Sequence, residues 1–198
     1  HPEIDVLFAD ARMGNREQGF VSWIEVAGEE AFKQLPSREL EPGLRLLERE
    51  PFFRRMVYRN AVFLGSCVIK RTVFDAVGGF DPELCGAADW HLWLRLASRY
   101  HFAFLDQPMS VYTKHLGGMS NDHDGMSKEF CDTLKKLAGE DRLTPNQRVL
   151  VRERLRHHLF GYAYRAYDRG DFPQARRRFA DVMRSSGWAS KGTFYFLL

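Results

Sequence analysis

The apolar pattern of this chain changes near residue 125, and that change limits what the chain can fold into. Before it, short apolar runs typical of strands alternate with helical segments; after it, the periodic segments are all helical. This order predicts an α/β domain over residues 1–125 and an all-α extension over residues 126–198. A chain of 198 residues is long enough for one core with such an appendage.

The predicted strands of the sheet, and the helices between them, all lie in the first part of the chain. Helical spacing of Leu40, Leu44 and Leu47 predicts a helix over 37–59 that Pro51 breaks. The glycine pair Gly78-Gly79 predicts the end of a short helix over 71–80. The other predictions are a strand over 4–9, a turn over 11–19, a strand over 20–28, a strand over 61–70 and two short strands within 101–115.

The helical extension begins with a polar loop and ends in a helix pair. Thr144 and Pro145 predict a cap and a first turn for a helix over 146–168. A second helix follows the Gly170-Asp171 turn. The pair resembles a single tetratricopeptide-like unit, which is too short for a solenoid and implies packing against a neighbour or self-association into a homo-oligomer.

Composition excludes several classes of protein. The three Cys residues have no C-x-x-C spacing, which argues against a disulfide framework and a structural zinc site and favours a cytoplasmic setting. No apolar run approaches the roughly 20 residues that span a bilayer, and the N-terminus lacks the pattern of a signal peptide. Because the sequence starts almost directly in a strand pattern, we expect an upstream part of the protein to be missing.

The C-terminal part is rich in arginine, although the formal net charge of the chain is only +3. Such a stripe can bind nucleic acid or an anionic membrane surface, or it can be a solvated helix face. We favour the solvated face, which makes a nucleic-acid partner improbable and leaves peripheral membrane association open. The arginines are Arg148, Arg152, Arg154, Arg156, Arg165, Arg169, Arg176, Arg177, Arg178 and Arg184.

Asp89 is the candidate catalytic residue. It lies where a loop becomes a helix whose apolar face includes Trp90 and Trp93. A carboxylate there can be a simple helix cap, or a general base that the helix presents to a substrate. Ala87 and Ala88 leave room beside it, and the helix N-terminus should keep it ionised.

Four motifs in a fixed order resemble the C-terminal half of family 2 glycosyltransferases, the inverting enzymes with the GT-A fold. The resemblance covers residues 1–125. The motifs are the opening strand PEIDVLFADAR, Gly78-Gly79-Phe80-Asp81, Ala88-Asp89-Trp90 with Leu92-Trp93-Leu94-Arg95, and Tyr112-Thr113-Lys114-His115 with Ser120.

The resemblance implies transfer of a sugar from a nucleotide-sugar donor to a hydroxyl group of a glycan or lipid-linked acceptor. It makes Asp89 the general base and His115 a ligand near a divalent metal, Mn²⁺ or Mg²⁺, although His115 can also be an ordinary loop histidine. It further implies cell-envelope polysaccharide synthesis in the cytoplasm, at the inner face of the membrane. Gly65, Ser66 and Trp90 are candidate substrate-binding residues; the alternatives are a plain bulge for the first two and a core position for Trp90.

Three departures from the family pattern qualify these expectations. Ala88 replaces the usual Glu, and Thr113 replaces the usual Arg. The family's Asp-x-Asp motif for metal and diphosphate lies upstream of the strand on which this chain starts. We therefore expect a fragment that is inactive alone; the rival hypothesis is a non-catalytic interaction module. The loop triplet Asp122-His123-Asp124 is a weaker metal candidate, which a polar loop tip explains equally well.

Overall fold

The computed structural model describes residues 1–114 and 122–186. Contacts divide the chain into two compact units, His1–Asn121 and Asp122–Leu198. The division falls at Asn121 rather than at residue 125, because a new helix already begins at His123.

The first unit is a mixed α/β structure, as the sequence predicted. Its strands are β1 (Val6–Asn15), β2 (Gly19–Ser22), β3 (Ser37–Glu41), β4 (Leu44–Leu47), β5 (Cys67–Ile69) and β6 (Phe102–Thr113). Its helices are α1 (Trp23–Lys33), α2 (Arg49–Tyr58), α3 (Arg71–Ala76) and α4 (Ala88–Ala97), with a 3₁₀ turn over Leu64–Ser66.

The six strands form one mixed sheet in the order β2-β1-β6-β4-β3, and β5 also pairs with β1. Only the central β1–β6 pairing is parallel among the pairings described. Its register shifts around Asp10, which lies opposite Pro108. A proline cannot donate to the ladder, so a shift at this point is expected.

The predicted helix over 37–59 is wrong in its first part. Residues 37–47 form the β3–β4 hairpin, and the helix starts only at Arg49. Gly43 adopts a positive φ of 77° in the turn between the two strands, a conformation that glycine reaches without steric cost. The leucine spacing suited a helix, but the Pro42-Gly43 turn decides the local structure.

The region after the first strand also differs from its prediction. β1 continues to Asn15, so residues 11–15 are extended rather than a turn. The second strand stops at Ser22, whose side chain forms a capping box with Glu25 and starts α1. The Ser22-x-x-Glu25 pattern of a capping box is present in the sequence, but the apolar residues around it favoured the prediction of a strand.

Two other strand predictions were correct in place but wrong in extent. Only Cys67–Ile69 of the run 61–70 pairs with the sheet, because the 3₁₀ turn occupies its middle. The two strands expected within 101–115 are one strand, β6. The helix ending at Gly78-Gly79 is confirmed, and both glycines have positive φ.

The second unit contains three helices in its described part. They are α5 (His123–Gly139), α6 (Pro145–Asp168) and α7 (Phe172–Ser186). Thr144 forms a capping box with Gln147 ahead of Pro145, which confirms the predicted start of α6. The core consists of Cys131, Leu159, Ala163, Ala166, Ala175, Phe179 and Val182. None of the described helices is long and apolar enough to cross a membrane.

Asp124 joins α5 to α7 through an ion pair. Its carboxylate accepts two hydrogen bonds from Arg178, at 3.0 and 2.7 Å, and one from Arg169 at 3.2 Å. The Arg178 guanidinium also lies 3.5 Å from the centre of the Tyr162 ring. The hydrogen bond from Arg178 lowers the pKa of Asp124 most, and Arg169 lowers it further.

Asp124→Asn should destabilise the second unit by about 1–2 kcal/mol at neutral pH, because Arg178 then loses its charged acceptor. The folded pKa of Asp124 lies below the unfolded value of about 3.9, so the carboxylate stabilises the fold above that pH. This contribution is lost as the pH falls through the folded pKa. The difference in free energy of unfolding between the variant and the wild type should then disappear. Urea unfolding followed by circular dichroism across this pH range measures it.

Asp181→Asn is the matched control for this prediction. Asp181 pairs with Arg184 at 3.2 Å, but both side chains are exposed, and such pairs contribute less than about 1 kcal/mol. Equal losses for the two variants at neutral pH would show that the Asp124 cluster has no special role.

Candidate active site

Asp89 is the second residue of α4, one position beyond the helix start. The N-cap position itself is Ala87, which makes no side-chain cap. The Oδ1 atom of Asp89, in the first turn, accepts a hydrogen bond of 2.6 Å from the backbone N–H of Trp90, so the carboxylate does satisfy a free helix N–H as the capping interpretation expected. The residue is half-buried.

The helix behind Asp89 is fixed by its core contacts. Trp90 is only 4% exposed, and its indole N–H donates to the carbonyl of Met56 at 2.7 Å. Leu92 and Trp93 are fully buried. Trp90 is therefore a core residue in this structure and offers no ring face to a sugar, contrary to the sequence-based expectation.

Two residues that the sequence did not single out adjoin the carboxyl of Asp89. Asn60 follows the end of α2, and its Nδ2 atom donates to Oδ2 of Asp89 at 3.4 Å. Its own Oδ1 atom accepts from the backbone N–H of Val62 at 3.1 Å, which fixes the amide orientation. Cys67, in β5, lies close enough for the negative charge of Asp89 to help burial raise the pKa of the thiol to about 11.

The environment of Asp89 makes its carboxylate more basic. Burial raises the pKa of Asp89 above its usual value, and hydrogen bonds from Trp90 and Asn60 oppose that rise only in part. We expected the helix N-terminus to dominate and keep the group ionised; burial is the larger influence here. A carboxylate with a raised pKa accepts a proton more readily, as a general base must.

Gly65 and Ser66 belong to the 3₁₀ turn rather than to a bulge. The Ser66 hydroxyl donates to the carbonyl of Ala9 at 2.8 Å, which ties the turn to β1. A Cβ atom at Gly65 would lie 2.7 Å from the Phe63 ring, so a larger residue would displace that ring. The structure thus gives both residues a packing role, and their predicted contact with substrate stays a prediction.

Three aromatic side chains meet beside this turn. We call Trp23, Phe63 and Tyr112 the aromatic trio. Their ring centres lie 5.3 Å apart for Trp23 and Phe63, 5.5 Å for Phe63 and Tyr112, and 6.4 Å for Trp23 and Tyr112. Each of the three side chains is half-buried. Distant parts of the sequence supply them, so no local pattern could have grouped them.

The predicted metal ligand His115 lies outside the described residues. Within the described parts, no group of three or more His, Cys, Asp or Glu side chains could hold a metal ion. Asp122 caps α5 by accepting from the N–H of Gly125 at 2.9 Å, and Asp124 is paired with Arg178. The described residues therefore do not fit a metal, and the weaker candidate triplet at 122–124 is better explained as helix-start chemistry.

The arginine stripe is not one continuous exposed face. Arg178 is only 9% exposed, and several other arginines bond within the second unit. Arg148 donates to the Ala138 carbonyl, Arg165 to the Ser127 hydroxyl and Arg169 to Asp124. Of these four, Arg169 and Arg178 are paired with a negative charge, that of Asp124. The choice between a binding face and a solvated face for the other arginines stays a prediction.

A separate cavity of about 410 Å³ lies between the β3–β4 hairpin and the start of α2. Arg38, Arg49 and His101 contribute to its wall. His101 immediately precedes β6, next to the start of the parallel pair, whereas the 3₁₀ turn binds Ala9, three residues further along β1 than Val6. The cavity shares no lining residue with the surroundings of Asp89.

No family model, curated protein or solved structure matches this chain. The fold and the site define a mixed α/β protein with a half-buried carboxylate at the start of a buried helix.

Proposed function

We propose that this chain is the acceptor-side part of a GT-A-type, family 2-like inverting glycosyltransferase, with Asp89 as the general base. The observation that carries the proposal is the placement of Asp89. It is half-buried at the start of α4, more basic than usual, and hydrogen-bonded by the Trp90 amide and Asn60.

The reaction is a single displacement at the anomeric carbon. An acceptor hydroxyl attacks that carbon from the face opposite the nucleoside diphosphate. The new C–O bond forms as the C–O bond to the diphosphate breaks, and the hydroxyl proton moves to Asp89. Attack from the opposite face inverts the anomeric configuration, and the diphosphate leaves with the bonding electron pair.

The contacts of Asp89 suit this role. A carboxylate has about four acceptor positions, and the backbone N–H groups of Trp90 and of Asp89 itself, together with Asn60, account for three of them. The remaining position can accept a hydroxyl proton without loss of these contacts. Because α4 is anchored by the buried Trp90 and Trp93, the carboxylate is held in place before substrate binds.

The donor side of the reaction rests on the resemblance alone. In such enzymes a divalent metal neutralises the leaving diphosphate. The described residues supply no such site, so we assign no metal step to them. The proposal places donor binding on upstream residues and makes this chain inactive by itself. It also places the protein in the cytoplasm, acting on a glycan or lipid-linked acceptor.

Product configuration tests the proposal. We expect the full-length protein to transfer from a UDP- or GDP-sugar with inversion, read from the anomeric proton coupling in the NMR spectrum of the product. The same measurement on this chain alone should show no transfer. Retention of configuration would contradict the role of Asp89, because a retaining enzyme does not use one base in a single displacement.

A further inference from the structure

The aromatic trio and the proposed base are joined through the same short segment of the chain, residues 60–67. Phe63 is three residues from Asn60, which donates to Asp89, so their Cα atoms are at most about 11 Å apart. On its other side, Phe63 accepts through its carbonyl from the N–H of Ser66, at 3.1 Å. Ser66 precedes Cys67, whose thiol responds to the charge of Asp89. Asp89 therefore contacts the start of the segment 60–67 through Asn60, and its charge reaches Cys67 at the end of that segment. Phe63, in the middle of the segment, packs against Trp23 and Tyr112.

The rings of the aromatic trio combine contact with partial exposure. Their centres lie 5.3–6.4 Å apart, and each side chain is only half-buried. The indole nitrogen of Trp23 is covered and has no hydrogen-bond acceptor among the described residues. Buried donors are normally paired, and a ligand oxygen could satisfy this one if the neighbouring rings move. Apolar and aromatic walls with a few polar groups are typical of small-molecule sites.

The electrostatic surroundings of Asp89 favour a neutral ligand. Burial and hydrogen bonds set the pKa of Asp89, and no Arg or Lys of the described residues contributes. The thiol of Cys67 likewise responds only to burial and to Asp89. An acceptor phosphate placed here would meet a carboxylate without a cation to offset the repulsion. A sugar hydroxyl would meet only a hydrogen-bond acceptor.

We infer that the aromatic trio holds the sugar ring of the acceptor, so that the hydroxyl group facing Asp89 belongs to a saccharide rather than to a lipid phosphate. This inference rests on the proposed function and narrows its acceptor. The ring's C–H face packs on the aromatic side chains, and its hydroxyl groups point towards Asp89 and the turn at 64–66.

Calorimetric binding to this chain tests the inference, with chitotriose, cellotriose and maltotriose as neutral probes and farnesyl phosphate as the anionic one. At least one trisaccharide should bind. Trp23→Leu and Tyr112→Leu keep apolar volume but remove an aromatic ring. Each substitution should raise about tenfold the Kd of the trisaccharide that binds. Phe172→Ala removes an exposed ring in the second unit and should leave the Kd unchanged.

Alkylation of the cysteines locates the bound sugar. Iodoacetamide modification at mildly alkaline pH, followed by mass spectrometry, should show that the bound trisaccharide slows the reaction of half-buried Cys67. The exposed Cys85 is the internal control and should react at an unchanged rate.

Several outcomes would overturn the inference: no trisaccharide binds, only farnesyl phosphate binds, or the Leu variants bind sugar like the wild type while their circular dichroism is unchanged. The fate of the proposed function is read separately. If Asp89→Asn abolishes transfer but the Leu variants of the aromatic trio bind sugar normally, this inference is wrong and the proposed function stands. If the Leu variants lose sugar binding but Asp89→Asn transfers normally, the proposed function is wrong instead.

Discussion

If the proposed transfer reaction is correct, Asp89→Asn should lower its rate in the full-length protein by about 10²–10⁴-fold, because an amide cannot take the proton of the attacking hydroxyl. The fold should not suffer. Burial raises the pKa of Asp89, so the folded state binds this proton more tightly than the unfolded state, and the ionised carboxylate costs stability at neutral pH. The neutral amide removes that cost, and its one oxygen can still accept from the Trp90 N–H. Its NH2 group would then face Nδ2 of Asn60, so the weak contact with Asn60 is lost and offsets part of the gain.

The expected combination is therefore lost turnover with a Tm close to that of the wild type. A residue kept at a cost in stability is typical of a functional site. Initial rates of nucleotide release and thermal unfolding measure the two quantities. Asp75→Asn is the matched control, since Asp75 lies on the exposed surface of α3 and pairs only with Arg71 among the described residues. Near-normal turnover in Asp89→Asn would remove Asp89 from the mechanism.

The sequence predicted a segment correctly where neighbouring residues determine its structure, and incorrectly where a distant contact does. Thr144 and Pro145 set the start of α6, and Gly78-Gly79 the end of α3, because caps and positive φ act through neighbouring residues. The hairpin at 37–47 was missed, since its leucine spacing fits both a helix and strands. Pairing of β4 with β6, more than fifty residues away, decides between them.

The candidate site was predictable only in its centre. Asp89 stands out because a lone carboxylate begins an apolar helix. Asn60 and Cys67 could not be found, because three separate parts of the chain bring them to Asp89. Trp90 was a candidate for substrate binding with a core position as its alternative, because helical spacing shows that residues share a face but not whether that face is covered. The Met56 carbonyl that binds its indole lies 34 positions earlier in the sequence.

The central core of the first unit depends on Phe8. This side chain is fully buried on β1, and its ring centre lies 5.2–6.3 Å from the rings of Phe32, Phe52, Phe102 and Phe104. Phe102 and Phe104 are on the parallel neighbour β6, where Phe104 is its register partner. Phe32 is on α1 and Phe52 is on α2. One ring therefore connects the centre of the sheet to two of the helices that cover it.

Phe8→Ala should destabilise the first unit by about 3–5 kcal/mol, because it removes a buried ring and leaves a cavity that four fixed neighbours cannot fill. Urea unfolding of the variant and wild type gives this difference. Since a domain is stable by only about 5–15 kcal/mol, the variant should be close to unfolding at body temperature. Phe8→Leu should lose less, because it keeps part of the buried apolar volume.

Phe20→Ala separates burial from residue type, since Phe20 is 40% exposed on the edge strand β2. Phe20→Ala should lower the free energy of unfolding by less than about 1 kcal/mol. A similar loss for Phe8→Ala would mean that the sheet and its helices are held together mainly by other contacts. In that case the position of α2, and with it the Asn60 that adjoins Asp89, would not depend on the ring cluster. A large loss of stability for Phe8→Ala, with little loss for Phe20→Ala, would show that the position of the proposed base depends on the packing of the ring cluster.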